Sequence, residues 1–359
     1  MGRKYLRMPG VRRIEYLVAF LASHRNNRID EELALKAVQR QLYHLELEKA
    51  KALGRQRPRT HKGVATVKEC QIMASQLGLV DEYLTLLPAA HLVLDPTQRR
   101  FTLMEKIWTA YSRFSEVVLR ARDASFLELP FYDWDDVANN PENPISGLHL
   151  NRWTFEMIRD LATQLELLNW CPIENDRQIV YPVAQVVTQI ELFCISGLEI
   201  ENSTSAQKQS TLVGEQFALL SFDNGQYLFR PNEQPKDLGY TILQTDTDRV
   251  YVRSHAVPVE EFEQKLWENY LELSSMRAQF PVLYPSLRNM VCRKLRISDQ
   301  TFDLQLLGLL KKPQHLIIYP SGGTLNYAAN LAHLAKFLPP KTSQGNFIVY
   351  LKMARRSTS

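Results

Sequence analysis

Apolar residues recur at helical spacing along most of this chain and switch to short β-branched or aromatic runs at a few places, which predicts a mainly helical α+β protein. Ile14, Leu17, Val18 and Leu21 share one face of a first helix, which Asn26-Asn27 breaks. A longer helix is expected from Asp30 to about Leu53, with Leu35, Val38, Leu42, Leu45 and Leu47 mostly inward and Gly54 as its stop. Val67 to Val80 reads as another helix, and the next apolar run, Leu84 to Leu87, as the start of a strand region, ahead of His91-Leu92-Val93-Leu94. Phe101 to Leu119 reads as one helix packed through Leu103, Ile107, Trp108, Tyr111, Phe114 and Val118. Trp153 to Trp170 predicts a further helix, returned by a strand at Gln178–Tyr181. Asp223-Asn224-Gly225-Gln226 sits between Phe217–Phe222 and Tyr227–Phe229, a strong hairpin signal because Asn and Gly both tolerate positive φ. Val250–Val252 is a candidate third strand, and Pro258 opens a helix carrying Phe262, Leu266, Trp267, Tyr270 and Leu273.

Near the carboxyl end the pattern is denser. Leu287, Met290, Val291 and Leu295 form an apolar face that leaves Arg288, Arg293, Lys294 and Arg296 off it, so a short basic amphipathic helix is expected. Ser298 is placed to cap a second helix with Phe302, Leu306, Leu307 and Leu310 inward, closed by Lys311, Lys312 and Pro313. Leu316–Tyr319 and Phe347–Leu351 read as strands, with Pro320-Ser321-Gly322-Gly323 as a turn. Asp299 and Asp303 are expected on the exposed side of the second helix, where they would repel a phosphate backbone.

This order of helix, turn, helix and strands resembles a winged-helix domain, and so do the stretches 64–95, containing Ala74-Ser75-Gln76-Leu77-Gly78-Leu79, and 148–182. The resemblance implies tandem winged-helix units with a small antiparallel β insertion. Such arrays occur in transcription regulators, replication initiators, chromosome-organising complexes, mobile elements and phage-defence systems of prokaryotic type. Composition shifts divide the chain into a basic helical segment 1–60, a first winged-helix-like domain 61–135, an acidic second one 136–205, a β-hairpin region with a linking helix 206–275, and a basic third one 276–359.

Charge sharpens the picture. Residues 1–65 hold 15 Lys and Arg against 6 Asp and Glu, and residues 276–359 hold 12 against 2, while the whole chain is only +4. Two basic ends therefore flank an acidic middle, which suits phosphate contact at the ends and protein contact at the centre. The predicted nucleic-acid contacts are Arg288, Arg293, Lys294, Arg296, Lys311, Lys312, Lys341, Arg355 and Arg356, together with the linker cations Arg55, Arg57, Arg59 and Lys62.

Catalysis finds little support. Asp133, Asp135 and Asp136 lack the companion carboxylates of a divalent-metal site and suit turn capping; His44-Leu45-Glu46 lacks the cysteine pair of a zinc deaminase. Ser321-Gly322-Gly323-Thr324 lacks the lysine of a phosphate-binding loop. Cys70, Cys171, Cys194 and Cys292 are widely spaced among apolar residues, as buried free thiols are. The expectation is a cytoplasmic, non-catalytic DNA-binding subunit or adaptor with no cofactor and no metal. Protein partners meet its acidic centre, no membrane is involved, and a homo-oligomer stays open. The rival is a scaffold that uses winged-helix domains without touching nucleic acid.

Overall fold

The computed structural model describes residues 6–52, 63–135, 137, 140–188, 220–223, 226–229, 240–244, 249–311, 315–323, 340–341 and 345–355. About half of the described residues are helical, and the sheets they form are small and antiparallel.

The first unit begins with α1 (Ile14–Leu21), a two-strand hairpin of β1 (His24–Arg25) and β2 (Arg28–Ile29), α2 (Glu31–Ala52) and α3 (Val64–Gln76). Asn26 and Asn27 both take positive φ, 49° and 63°, so the predicted break is the tight turn of that hairpin. A short antiparallel return follows. Val80 bridges Leu86, and Thr85 bridges Arg28, so the returning segment lies between the outgoing one and β2. Leu17, Phe20, Val38, Cys70, Met73 and Leu79 share one core, which packs α1 and α2 with α3 and continues without a break into the segment that follows, through Phe114, Phe155, Leu161 and Trp170. The run His91–Leu94 that comes next lies in α4 (Pro88–Leu94), with proline in its first turn, where its missing N–H costs nothing.

The predicted single helix over 101–119 is two. α5 (Arg99–Ala110) and α6 (Ser112–Asp123) meet at Tyr111, whose φ of −119° and ψ of 89° leave the helical region. The break lets Tyr111 point into the core and its hydroxyl donate to Gln76 Oε1 at 2.7 Å. After α6 the second unit continues with β3 (Leu127–Pro130), a connector that buries Trp134, Val137, Ile145, Leu148 and Leu150, α7 (Arg152–Gln164), β4 (Leu168–Ile173) and β5 (Arg177–Pro182). The helix expected to reach Trp170 therefore ends at Gln164, and Leu168–Trp170 belongs to β4.

Ala74-Ser75-Gln76-Leu77-Gly78-Leu79 and Ala162-Thr163-Gln164-Leu165-Glu166-Leu167 are the same phrase twice, and they stop their helices in the same way. Leu79 N donates to Ala74 O and Leu167 N to Ala162 O, across a left-handed residue that is Gly78 in one copy and Glu166 in the other. A glutamate at φ 55° is strained where glycine is not. Its carboxylate holds Arg100 and accepts from Ser298 Oγ at 2.8 Å, so the strained position carries contacts between units that glycine could not supply.

Beyond β5 lies β6 (Ala184–Thr188), which pairs with β10 (Arg249–Ser254), itself paired with β9 (Tyr240–Gln244). The hairpin of β7 (Leu220–Asp223) and β8 (Gln226–Phe229) forms a separate two-stranded sheet. Val250–Val252 thus joins β6 and β9 and not the hairpin.

The third unit runs α8 (Val259–Leu273), β11 (Val282–Leu283), α9 (Tyr284–Leu295), α10 (Asp299–Lys311), β12 (Leu316–Gly323) and β13 (Phe347–Arg355). Pro320-Ser321-Gly322-Gly323 is not a turn: β12 continues through it, paired with Leu351 back to Phe347, with a bulge between Ser321 and Gly322. The order β11-β13-β12 makes β12 an edge strand, where proline's missing donor leaves no ladder bond unmade. In both this sheet and β3-β5-β4 the third strand in sequence lies between the first and second, and the bridges of the first unit follow the same order.

Candidate nucleic-acid interface

Thr154 and Thr301 stand at matching places in α7 and α10. Asn151 Oδ1 accepts from Thr154 N at 2.9 Å and Ser298 Oγ accepts from Thr301 N at 3.0 Å, so the predicted Ser298 cap is present. One residue on, Phe155 and Phe302 are both fully buried. The two helices are set into their units by the same device, and they differ in how they handle charge.

In the third unit the acids turn inward, which corrects the sequence expectation. Asp299 is buried, and the Asp303 side chain is 16% exposed. Both pair with Arg288, at 3.4 and 3.1 Å, and Tyr284 Oη donates to Asp303. Arg288 is accordingly buried and is removed from the set of surface cations. It was expected outside because its apolar neighbours define a narrow stripe; α9 packs against α8, α10, β13 and β4, so its buried face is much wider. Burial, opposed by Arg288, pushes the Asp303 carboxyl up to about 6; burial also raises Tyr284, with the Asp303 charge adding to it.

The remaining cations scatter. Arg293 and Lys294 are exposed at the end of α9, and Lys294 pairs with exposed Glu272 at 3.0 Å, a contact of little net strength. Arg296 closes α9 with φ 55° and lays its guanidinium over the Tyr181 ring, 5.3 Å from its centre, at the junction with the second unit. Asn169 reinforces that junction: its amide donates to Ile297 O and Asp299 Oδ1, both at 3.0 Å. Lys311 is exposed at the end of α10. Lys341 reaches Glu48 of α2 at 2.6 Å, and Arg355 lies over Trp267. Lys312, Arg356, Arg55, Arg57, Arg59 and Lys62 lie outside the described residues.

Three surface residues escaped sequence reading. Tyr319 opposes Lys352 and Ser321 opposes Tyr350 on one face of the β12-β13 ladder, and Tyr319, Tyr350 and Lys352 are exposed. The period-two alternation of Tyr350, Leu351, Lys352 and Met353 carries that signal, with the even positions outward.

A second basic place lies between the first two units. The amino-terminal arm, residues 7–14, crosses from α3 to α7: Arg7 pairs with Glu69, Gly10 N donates to Glu69 at 2.6 Å, and Gln164 holds Arg12 O and Ile14 N at 2.7 and 2.8 Å. Arg12 and Arg152 both bind Glu156. Burial alone would raise the Glu156 carboxyl; the two guanidinium hydrogen bonds outweigh it and hold it below the ordinary carboxylate range.

Asp133 Oδ1 accepts from Asp135 N at 3.3 Å, the turn-capping arrangement, while Asp136 lies outside the described residues. Among the described residues no group of three or more His, Cys, Asp or Glu is arranged to hold a metal ion. Cys70, Cys171 and Cys292 are buried and in no disulfide; Cys194 lies outside the described residues. Among the described residues no helix is long and apolar enough to cross a membrane. Comparison with protein-family models, curated proteins and solved structures yields no match.

Proposed function

We propose that this chain is a non-catalytic nucleic-acid-binding subunit or adaptor, built from three winged-helix-type units, that holds DNA mainly through its carboxyl-terminal unit. The repeated order of helices followed by a first–third–second antiparallel sheet supports the architectural part of this reading. One observation carries the functional part. Asp299 and Asp303 are the only acidic residues in 276–359, and both turn inward onto Arg288. The side chains this stretch offers to solvent therefore include Arg293, Lys294, Lys311 and Lys352, with Glu272 of the preceding helix as the acid beside Lys294, so a polyanion meets net attraction there.

The test is duplex binding at low salt with Arg293→Glu, Lys311→Glu and Lys352→Glu combined. Affinity is expected to fall for all sequences alike, with a shallower dependence on salt, because phosphate contacts position a protein without reading bases. A folded variant that binds duplex as the parent does, or a parent that binds none, removes the reading. Protein partners at the acidic centre and a role in a larger prokaryotic-type assembly belong to the same proposal.

A scaffold without nucleic-acid contact is favoured by one feature: Leu304, 63% exposed, stands on the outer face of α10, where a base-reading helix carries polar groups. Under that reading Leu304→Asp abolishes co-purification of a protein partner and the cation variant changes nothing.

A further inference from the structure

We infer that the cleft between the amino-terminal arm and the start of α7 binds single-stranded nucleic acid, holding phosphates with arginines and stacking bases on Trp153 and Tyr132. The inference rests on the proposed function for its ligand class alone, because the cleft lies in the first two units and shares no residue with the carboxyl-terminal surface.

The cavity has a volume of about 560 Å³ and is lined by Arg7, Met8, Gly10, Arg12, Arg113, Asn151, Trp153, Thr154 and Met157. Three of those side chains are guanidinium groups and none is a carboxylate. The acids nearby pair with arginines: Glu156 and Asp160 hold Arg12, Glu156 also holds Arg152 beside the lining, and Glu69 meets the more exposed Arg7 at 3.3 Å. A guanidinium presents five donors, so one carboxylate partner, or the two that Arg12 has, still leaves donors for a phosphate.

Two large aromatic side chains stand in water here: Trp153, part of the lining, is 66% exposed, and Tyr132, outside it, is 59% exposed. They form a ladder with arginines. The Arg152 guanidinium lies 4.8 Å from the Tyr132 ring centre and 5.9 Å from that of Trp153, and Arg12 lies 5.3 Å from the Trp153 ring centre. Leaving an indole in solvent forgoes the burial that a tryptophan ordinarily gains, and the guanidinia keep it positioned. Alternating cations and exposed rings are the two elements by which single strands are held without base-specific contacts: charge tracks the backbone and each base has a face to stack. Bases in a duplex are already stacked on one another and offer no face to Trp153, which selects the single strand.

The experiment measures binding of fluorescently labelled dT12 and of a 12-base-pair duplex to the full chain, the parent and the variants Trp153→Ala and Trp153→Phe, each checked for folding by thermal melting. The parent is expected to bind dT12, Trp153→Ala to weaken that by about tenfold, Trp153→Phe to keep most of it, and duplex affinity to stay unchanged. Tyr132→Ala gives a second reading on a different element should Trp153→Ala fail to fold, and the same selective loss is expected. Four outcomes overturn the inference: no dT12 binding by the parent, unchanged dT12 affinity in the alanine variants, equal loss for dT12 and duplex, or displacement of dT12 by a polyglutamate peptide as readily as by unlabelled dT12. Failure of the carboxyl-terminal reading looks different, since there the Arg293, Lys311 and Lys352 variant leaves duplex binding intact whatever happens to dT12.

Discussion

Glu156 in α7 and Asp303 in α10 each lie one turn inside a capped helix, each is largely buried, and each meets arginine, yet they answer to pH in opposite directions. Glu156 has two guanidinia, Arg12 and Arg152, for one carboxylate, and its carboxyl is held low. Arg288 is one guanidinium for two carboxylates, Asp299 and Asp303, and the Asp303 carboxyl is driven up. Burial raises both carboxyls and is the largest influence on each; two guanidinia outweigh it at Glu156, while one guanidinium shared with Asp299 does not at Asp303. The same helix position thus becomes a clamp on the amino-terminal arm in one unit and a charge-neutralising core in the other.

The largest way to break this contrast is Arg288→Met. Two buried carboxylates then lose the guanidinium that pairs with both, and removing one side of a buried ion pair costs about 3–5 kcal/mol. The denaturant midpoint of the third unit should fall steeply, and Asp299→Asn with Asp303→Asn in the same chain should restore part of the loss. A stability equal to the parent's would mean that the cluster is hydrated.

Much of this architecture is legible in the sequence, and what is not has physical causes. The Asn26-Asn27 turn, the Ser298 cap and the strand at Gln178–Tyr181 follow from local chemistry, and each lies where local chemistry puts it. Tyr111 has no proline or glycine beside it; the helix breaks there because its hydroxyl and ring have a place in the core, which is a tertiary fact. Pro320 to Gly323 carries every local sign of a turn, and edge position in the sheet overrides them. Arg288 escaped for a related reason: a periodicity argument sees one buried face, whereas α9 is enclosed by several elements and buries a cation along with its two acids. The Trp153 cleft joins residues far apart in sequence, Arg7, Arg12, Arg113 and Trp153, which no local pattern assembles.

The Asp303 side of the comparison is sharpened by pH. Its folded-state value of about 6 lies above the usual carboxylate value, so between roughly pH 4 and 6 the folded protein binds more protons than the unfolded one. The cluster's contribution is therefore fully present below pH 4 and declines as pH rises through 6, by roughly 2–3 kcal/mol. Asp303→Asn should remove that decline. Urea midpoints measured every half unit from pH 4 to 7 decide it, and an unchanged slope in the variant would assign the titration to another group.

Glu156 predicts the smallest effect and the opposite sign. Its depressed carboxyl contributes stability above the ordinary glutamate range that disappears as pH falls through its folded value. Arg12 and Arg152 are each more than a third exposed at the side chain, so solvent screens the pair and Glu156→Gln should cost only about 1 kcal/mol. The arm should feel it more than the unit does. Gln164 still holds Arg12 O and Ile14 N, while Arg7 keeps Glu69, so the arm loosens at its middle without detaching. Limited trypsin digestion should then cut at Arg12 or Arg13 several times faster than in the parent, with the melting temperature nearly unchanged. Equal cleavage rates would mean that the backbone contacts of Gln164, and not the charge on Glu156, keep the arm across α7.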